Sequence, residues 1–109
     1  MSAVRRGEFR KWRPAGRDDV PARWVLVISD DDFNAAVGSW PLCVQVIRRG
    51  RASPYLAALG DTEPVAGRLS LPSLGPVPLE HLGETAGMIS HPAYDHLIAG
   101  LRTLLGVPD

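Results

Sequence analysis

The sequence predicts a mainly β protein: a small, curled, mostly antiparallel sheet joined to one C-terminal α-helix. Three observations predict it. "RWVLVIS" carries a run of five apolar residues between turn-forming segments, as a buried strand does. "LCVQVI" is a second such run, with partial alternation at Val44, Gln45 and Val46. Only the last segment has helical spacing. There Tyr94, Leu97, Ile98, Leu101, Leu104 and Leu105 fall at i, i+3, i+4, i+7, i+10 and i+11, a single stripe.

The elements follow in order. "RRGEFRKWRP" places Phe9 and Trp12 among charges, which predicts a first strand from about Glu8 to Trp12 that curls at Pro14. "AGRDDVPA" is a loop, marked by Gly16, the Asp18–Asp19 pair and Pro21. "RWVLVIS" is the second and most buried strand. "DDDFNAAVGSWP" is a turn or helical turn that Asp30 or Asp31 can cap, with Phe33 expected to fold back onto the core. "LCVQVI" is the third strand and "RRGRAS" a loop. "PYLAAL" is a weaker fourth strand, placed at an edge because it opens on a proline. "GRLSL" alternates as a strand does, while two prolines in "GPVPLEHL" argue against a central strand there. "AGMIS" is compatible with one more short strand. The closing helix has Ser90 as N-cap, Pro92 in its first turn and Gly106 as its stop.

Composition narrows the class. The 109 residues are expected to form one domain, 1–109, large enough for a modest core. An apolar fraction of 45% and a charged fraction of 22% are ordinary for a globular protein in water. No apolar run approaches the ~20 residues of a membrane helix. The charged N-terminus is unlike a signal peptide, and the lone Cys43 forms no internal disulfide, so the cytoplasm is the expected compartment.

Net charge is zero, with 12 basic and 12 acidic residues. The basic residues are unevenly placed. Arg5, Arg6, Arg10, Lys11, Arg13, Arg17 and Arg23 precede Trp24, and Arg48, Arg49 and Arg51 crowd into "IRRGR". Lys11 is the only lysine, and the planar guanidinium fork suits phosphate. A genome rich in G and C also favours arginine, but it does not explain the clustering.

Other chemistry is poorly represented. His91 and His96 are five apart, off the i, i+4 spacing that puts two imidazoles on one metal, and no cysteine pair exists. Asp30, Asp31 and Asp32 lack the alternating spacing and distal Glu of a calcium loop, so turn and cap chemistry is the better reading. Cys43, between Leu42 and Val44, reads as a small core residue. Arg23 opens a buried strand, which would hold its backbone rigid and leave its head group at a cleft or rim. There it can meet charge growing on a phosphate, or it can simply pair with Asp18, Asp19 or Asp30. Glu8, just after Gly7, stands at the mouth of the first strand.

"RRGEF" followed by "RWVLVISDDDFN" resembles the MazF/PemK (Kid) toxins of type II toxin–antitoxin systems. Those open with an R-G-[DE]-[IV] strand, then an R-P-V-V-V-I-S strand and a D-x-F-N turn. "HLGETAGMISHPAYDHLIAGLRTLLG" is similar to the family's ending, where an R-L-G phrase leads to a G-x-L strand and a final helix closing on L-x-x-L-G. The resemblance covers both ends of the chain. It implies an SH3-like barrel, a homodimer, a cognate antitoxin, and metal-independent cleavage of single-stranded RNA by the RNA's own 2′-hydroxyl, with no cofactor. Residue by residue, Arg23 matches the catalytic arginine and Glu8 the acidic residue of R-G-[DE]. Glu8, Arg10, Arg13, Arg48 and Arg49 form the expected RNA-binding set.

Two positions depart from the pattern. Trp24 replaces the proline after the arginine. The family's third strand ends in P-[IL]-T-[ST], whose threonine assists catalysis, where this chain has Ile47 and Arg48. Two other functions therefore stay open on the same fold: a toxin that acts by binding, as the CcdB relatives do with DNA gyrase, and a catalytically silent interaction module. The CcdB ending includes a tryptophan, whereas this chain ends "LLGVPD".

Overall fold

The computed structural model describes residues 4–13, 22–37, 40–51 and 53–108. The expected curl at Pro14 and the "AGRDDVPA" loop up to Pro21 lie outside the described residues. Six strands, β1 (Glu8–Trp12), β2 (Arg23–Val27), β3 (Leu42–Ile47), β4 (Leu56–Ala58), β5 (Arg68–Pro76) and β6 (Leu82–Met88), form one antiparallel sheet in the order β4-β5-β3-β2-β1-β6. Two helices, α1 (Asp31–Val37) and α2 (His91–Leu105), follow β2 and β6. The sheet is mainly β with a C-terminal helix, as expected, and its two edges are β4 and β6. No helix among the described residues is long and apolar enough to cross a membrane.

The sheet has a core on each face. Phe9, Leu26, Val44, Leu69 and Leu71 face α2, where Leu97 and Leu101 complete the packing. Val25, Val27 and Cys43 point the other way and meet Val4 and Val77, with Trp12, Leu79 and Leu82 against them. Burial pushes the Cys43 thiol up to about 12, so it stays protonated, as a packing residue should.

Helix α2 has the predicted ends. The Ser90 hydroxyl accepts from the Ala93 N–H at 3.3 Å, and Gly106 closes the helix in the left-handed region at φ 69°. Its stripe is narrower than the spacing implied. Leu97 and Leu101 are buried and Leu104 packs partly buried against the same core, but Leu105 is 64% exposed.

Three other elements differ from expectation. Phe33 does not fold back and is 39% exposed; Asn34 is the buried residue of that turn. Its amide accepts from the Ser29 hydroxyl and donates to the Ser29 carbonyl at 3.0 Å. Ser29 Oγ also accepts from the Leu42 N–H at 3.0 Å, so one polar cluster fixes the exit of β2 to the entry of β3. The cap forms as expected: Asp30 Oδ2 accepts from the Asp32 N–H at 3.0 Å.

Strand β5 reaches Pro76 and lies inside the sheet despite Pro72. A wide bulge makes this possible. Gln45 faces Ser70 while Cys43 faces Gly75, so Pro72 sits where the ladder needs no donor. The bulge supplies a side chain in place of the lost partner: Ser73 Oγ accepts from the Gln45 N–H at 2.7 Å and donates to the Ser70 carbonyl at 2.6 Å. Strand β6 begins at Leu82, well before "AGMIS", because pairing with β1 tolerates register shifts around Arg10.

The fully buried Leu97 is the anchor of α2. Leu97→Ala should cost about 2–5 kcal/mol, whereas Leu105→Ala should stay within about 0.5 kcal/mol of the wild type. Urea denaturation of both variants checks this, and equal midpoints would show that the helix is peripheral.

Candidate nucleic-acid interface

The two ends of β2 do different work. At its exit, Ser29 and Asn34 form the buried cluster described above. At its entry, Arg23 is the one exposed residue of the strand. Pairing of β2 with β3 sets Val25 against Gln45 and Leu26 against Val44, so Arg23 stands level with Ile47, where β3 ends. Arg48 and Arg49 follow immediately. Arg23, Arg48 and Arg49 thus meet on one cleft of about 1080 Å³.

The opposite wall comes from far along the chain. Residues 64–67, in the loop between β4 and β5, line it together with Trp24 of β2. This loop is closed at its base by the Leu59 N–H donating to the Gly67 carbonyl at 3.0 Å. Gly67, at φ 133°, is needed there. A Cβ on it would come within 2.6 Å of the Ile47 carbonyl oxygen, so only glycine lets the loop approach the end of β3. The loop is also tied across the molecule. Glu63 accepts from the Ser90 N–H at 3.0 Å and from the Ser90 hydroxyl, and Pro64 lies against Gly87 of β6. Val65 is buried in the core beneath.

The remaining residues of the expected set lie elsewhere. Glu8 and Arg10 pair with each other at 3.2 Å, with side chains only 12% and 15% exposed. Arg10 Nε also donates to the Gly83 carbonyl at 2.6 Å, which locks β1 to β6. Glu8 is level with Val27, roughly 13 Å along the strand from Arg23 at ~3.3 Å per residue. These two residues hold the sheet together and are not brought to the cleft. Arg13, exposed just beyond the Trp12–Arg23 pair, has its N–H bonded to the His81 carbonyl at 3.0 Å and does not line the cleft. Asp30, a suggested partner for Arg23, pairs with Arg6 at 3.5 Å. Arg6 also lies over the Tyr94 ring at 5.4 Å, tying α1 to α2. Among the described residues no three His, Cys, Asp or Glu side chains gather into a metal-ligand set.

Sequence reasoning missed Trp24 and the 64–67 wall. Trp24 is partly buried against the core, and the Lys11 ammonium lies 5.6 Å from its ring centroid. Lys11 is held in turn by Glu84 at 3.1 Å. The spacing of Trp24 from Arg23 could have flagged it. Nothing in the sequence links either residue to a loop some forty positions away.

An open antiparallel sheet with this order and a terminal helix has well-matched counterparts among solved structures. An endoribonuclease from mycobacterial species superposes with a TM-score of 0.87 at 21% identity, covering 100% of this chain and 97% of that one. An endoribonuclease in complex with its cognate antitoxin, also mycobacterial, gives 0.86 at 20% identity, over 98% of this chain and 99% of that one. This chain has the MazF fold. The MazE-MazF structure from Deinococcus radiodurans aligns at 0.83 and 17% identity over 99% of this chain and 100% of that one. No protein-family model and no curated sequence matches the chain. At such identities the MazF fold is what the superpositions establish, and side-chain roles rest on the cleft itself.

The division between locked and free charges is measurable. Glu8→Ala takes the carboxylate partner from the largely buried Arg10 side chain and should cost about 1–3 kcal/mol. Arg48→Ala removes an exposed side chain and should change stability by less than about 0.5 kcal/mol. Chemical denaturation of the two variants reads the difference, and a neutral Glu8→Ala would return Glu8 to the candidates for ligand contact.

Proposed function

We propose that this protein, acting as a single domain over residues 1–109, is the toxin of a type II toxin–antitoxin pair and cleaves single-stranded RNA. The observation that carries the reading is the convergence of Arg23, Arg48 and Arg49 on one cleft in a chain with no net charge. Three guanidinium groups held together repel one another, and a polyanion relieves that repulsion. The fold match to endoribonucleases, one of them bound to its antitoxin, supports the choice of RNA and of a cognate antitoxin. The cytoplasm is the matching compartment.

In the proposed reaction the RNA's 2′-oxygen attacks the adjacent phosphorus and the bond from phosphorus to the 5′-oxygen breaks. The 2′-hydroxyl gives up its proton and the departing 5′-oxygen gains one, leaving a 2′,3′-cyclic phosphate. Negative charge builds on the non-bridging oxygens along the way. A guanidinium fixed at the mouth of a rigid strand can meet that charge without reorganising. We assign this role to Arg23, with Arg48 and Arg49 holding flanking phosphates.

One observation favours a second reading. Ile47 and Arg48 stand where the resembled family carries its catalytic threonine. No hydroxyl, carboxylate or imidazole lines the described part of the cleft. On this reading the cleft binds RNA without cutting it, and cleavage separates the two.

Purified protein should cut a long single-stranded RNA to products with 2′,3′-cyclic phosphate ends. Arg23→Ala should lower the rate by about 10²–10³, and lysine should rescue poorly because it lacks the bidentate fork. EDTA should have no effect, given the donor set. Tight binding without cleavage would select the second reading. Equal cutting by wild type and Arg23→Ala would remove Arg23 from the chemistry.

Phe33 and Trp40 are 39% and 49% exposed, and a contact between two copies would take both rings out of water. We expect a homodimer that covers part of this aromatic surface, with strand residues and part of α2 at the interface. Sedimentation at roughly 10 µM, well above the dissociation constants of ordinary stable interfaces, should give the mass of two chains. A single-chain mass would overturn the assignment.

A further inference from the structure

We propose that Trp24 is a base-stacking platform: the cleft takes one unpaired nucleotide with its phosphate against the arginines and its base on the indole. The inference rests on the RNA reading above and adds what the cleft selects.

The cleft lining is divided by chemistry. Arg23, Arg48 and Arg49 supply cations, while Trp24, Pro64 and Val65 supply an aromatic and aliphatic surface. A small inorganic anion would use only the first part, and an apolar ligand only the second. A nucleotide carries both a charged phosphate and a flat apolar base, and so uses the whole cleft.

Trp24 is prepared for this. It alternates onto the face of β2 that also carries Leu26, and its ring packs against that core. Lys11, its cross-strand neighbour, places its ammonium 5.6 Å from the ring centroid and is itself held by Glu84. The indole is therefore ordered before any ligand arrives, and little side-chain freedom is lost on binding. Every nucleobase has a π face, so such a platform accepts any base at modest cost in discrimination. It rejects duplexes, whose bases are already stacked on one another. Trp24 would thus make the cleft selective for single strands, while the arginines make it retentive.

The probe is a short 2′-fluoro RNA, which lacks the nucleophile and cannot be cut. Its affinity is read by fluorescence anisotropy with the wild type, Trp24→Leu, Trp24→Phe and Arg23→Ala. Trp24→Leu should weaken binding about 10–100-fold, the range expected for losing one stacked base, and Trp24→Phe should recover most of it. Replacing each base in turn with an abasic ribose should reveal one position that weakens the wild type by a similar factor yet leaves Trp24→Leu unchanged. If Trp24→Leu does not fold, indole fluorescence decides: RNA should quench the wild type more than Trp24→Phe, and the excess should vanish at that one abasic position. Equal affinities of Trp24→Leu and wild type, or abasic losses or quenching that are the same in the variants compared, would overturn the platform. If Arg23→Ala still weakens binding in that case, the RNA reading survives. A wild type that binds no RNA overturns both.

Discussion

Strand β2 must be buried on both faces, and most of the molecule is arranged to meet that demand. Val25 and Val27 point to one side and Leu26 to the other, and none of the three is exposed to solvent. Helix α2 covers only the Leu26 side. The other side is closed by Val4 and by the segment that carries Val77, Leu79 and Leu82. A strand enclosed in this way can show a charge only at its ends, because an unpaired guanidinium is too costly to bury. Arg23 is at the mouth for that reason. At the other end the burial is completed by Asn34 and Ser29, polar groups that satisfy each other and free the neighbouring aspartates for capping.

Much of this was legible in the sequence where one kind of signal dominated. The first three strands and the closing helix follow from apolar runs and caps, and their boundaries match the structure closely. The alternation of "GRLSL" marked the first half of β5, but its continuation to Pro76 was hidden because the two prolines of "GPVPLEHL" argued against a central strand there. Within the strand Ser73 stands in for the missing ladder partner, a substitution visible only in three dimensions. Phe33 was expected inside on hydrophobicity alone, yet Asn34 is inside, because a buried amide with two partners fixes the turn better than a ring that can stay at the surface. In the candidate cleft, Arg23 was marked by its place at the start of a buried strand, and Arg48 and Arg49 by their clustering in "IRRGR". Glu8 and Arg10 looked equally available, and only their mutual pairing and the bond to Gly83 show that they are occupied.

The neutrality of the chain is also local in its consequences. Acidic residues are spent on the N-terminal arginines, as in Asp30 with Arg6 and Glu8 with Arg10, while the described wall of the cleft carries cations alone. Among the described residues, the charged side chains that line the cleft are all positive on a molecule with no net charge. Attraction to a polyanion would act only within about a Debye length, ~8 Å at physiological ionic strength. Such a protein would not accumulate on nucleic acid at large, as strongly basic proteins do.

The loop from Leu59 to Gly67 joins features usually kept apart. Its Pro64 lies on β6, its Glu63 holds the start of α2, its Val65 fills the core, and residues 64–67 wall the cleft. It spans an open sheet like a strap across a half-closed hand. Any substitution that reshapes the wall must therefore also be acceptable to the core and to the far edge of the sheet. Ligand preference on this side of the cleft can drift only as fast as folding permits, whereas folding sets no such limit on the exposed arginines opposite.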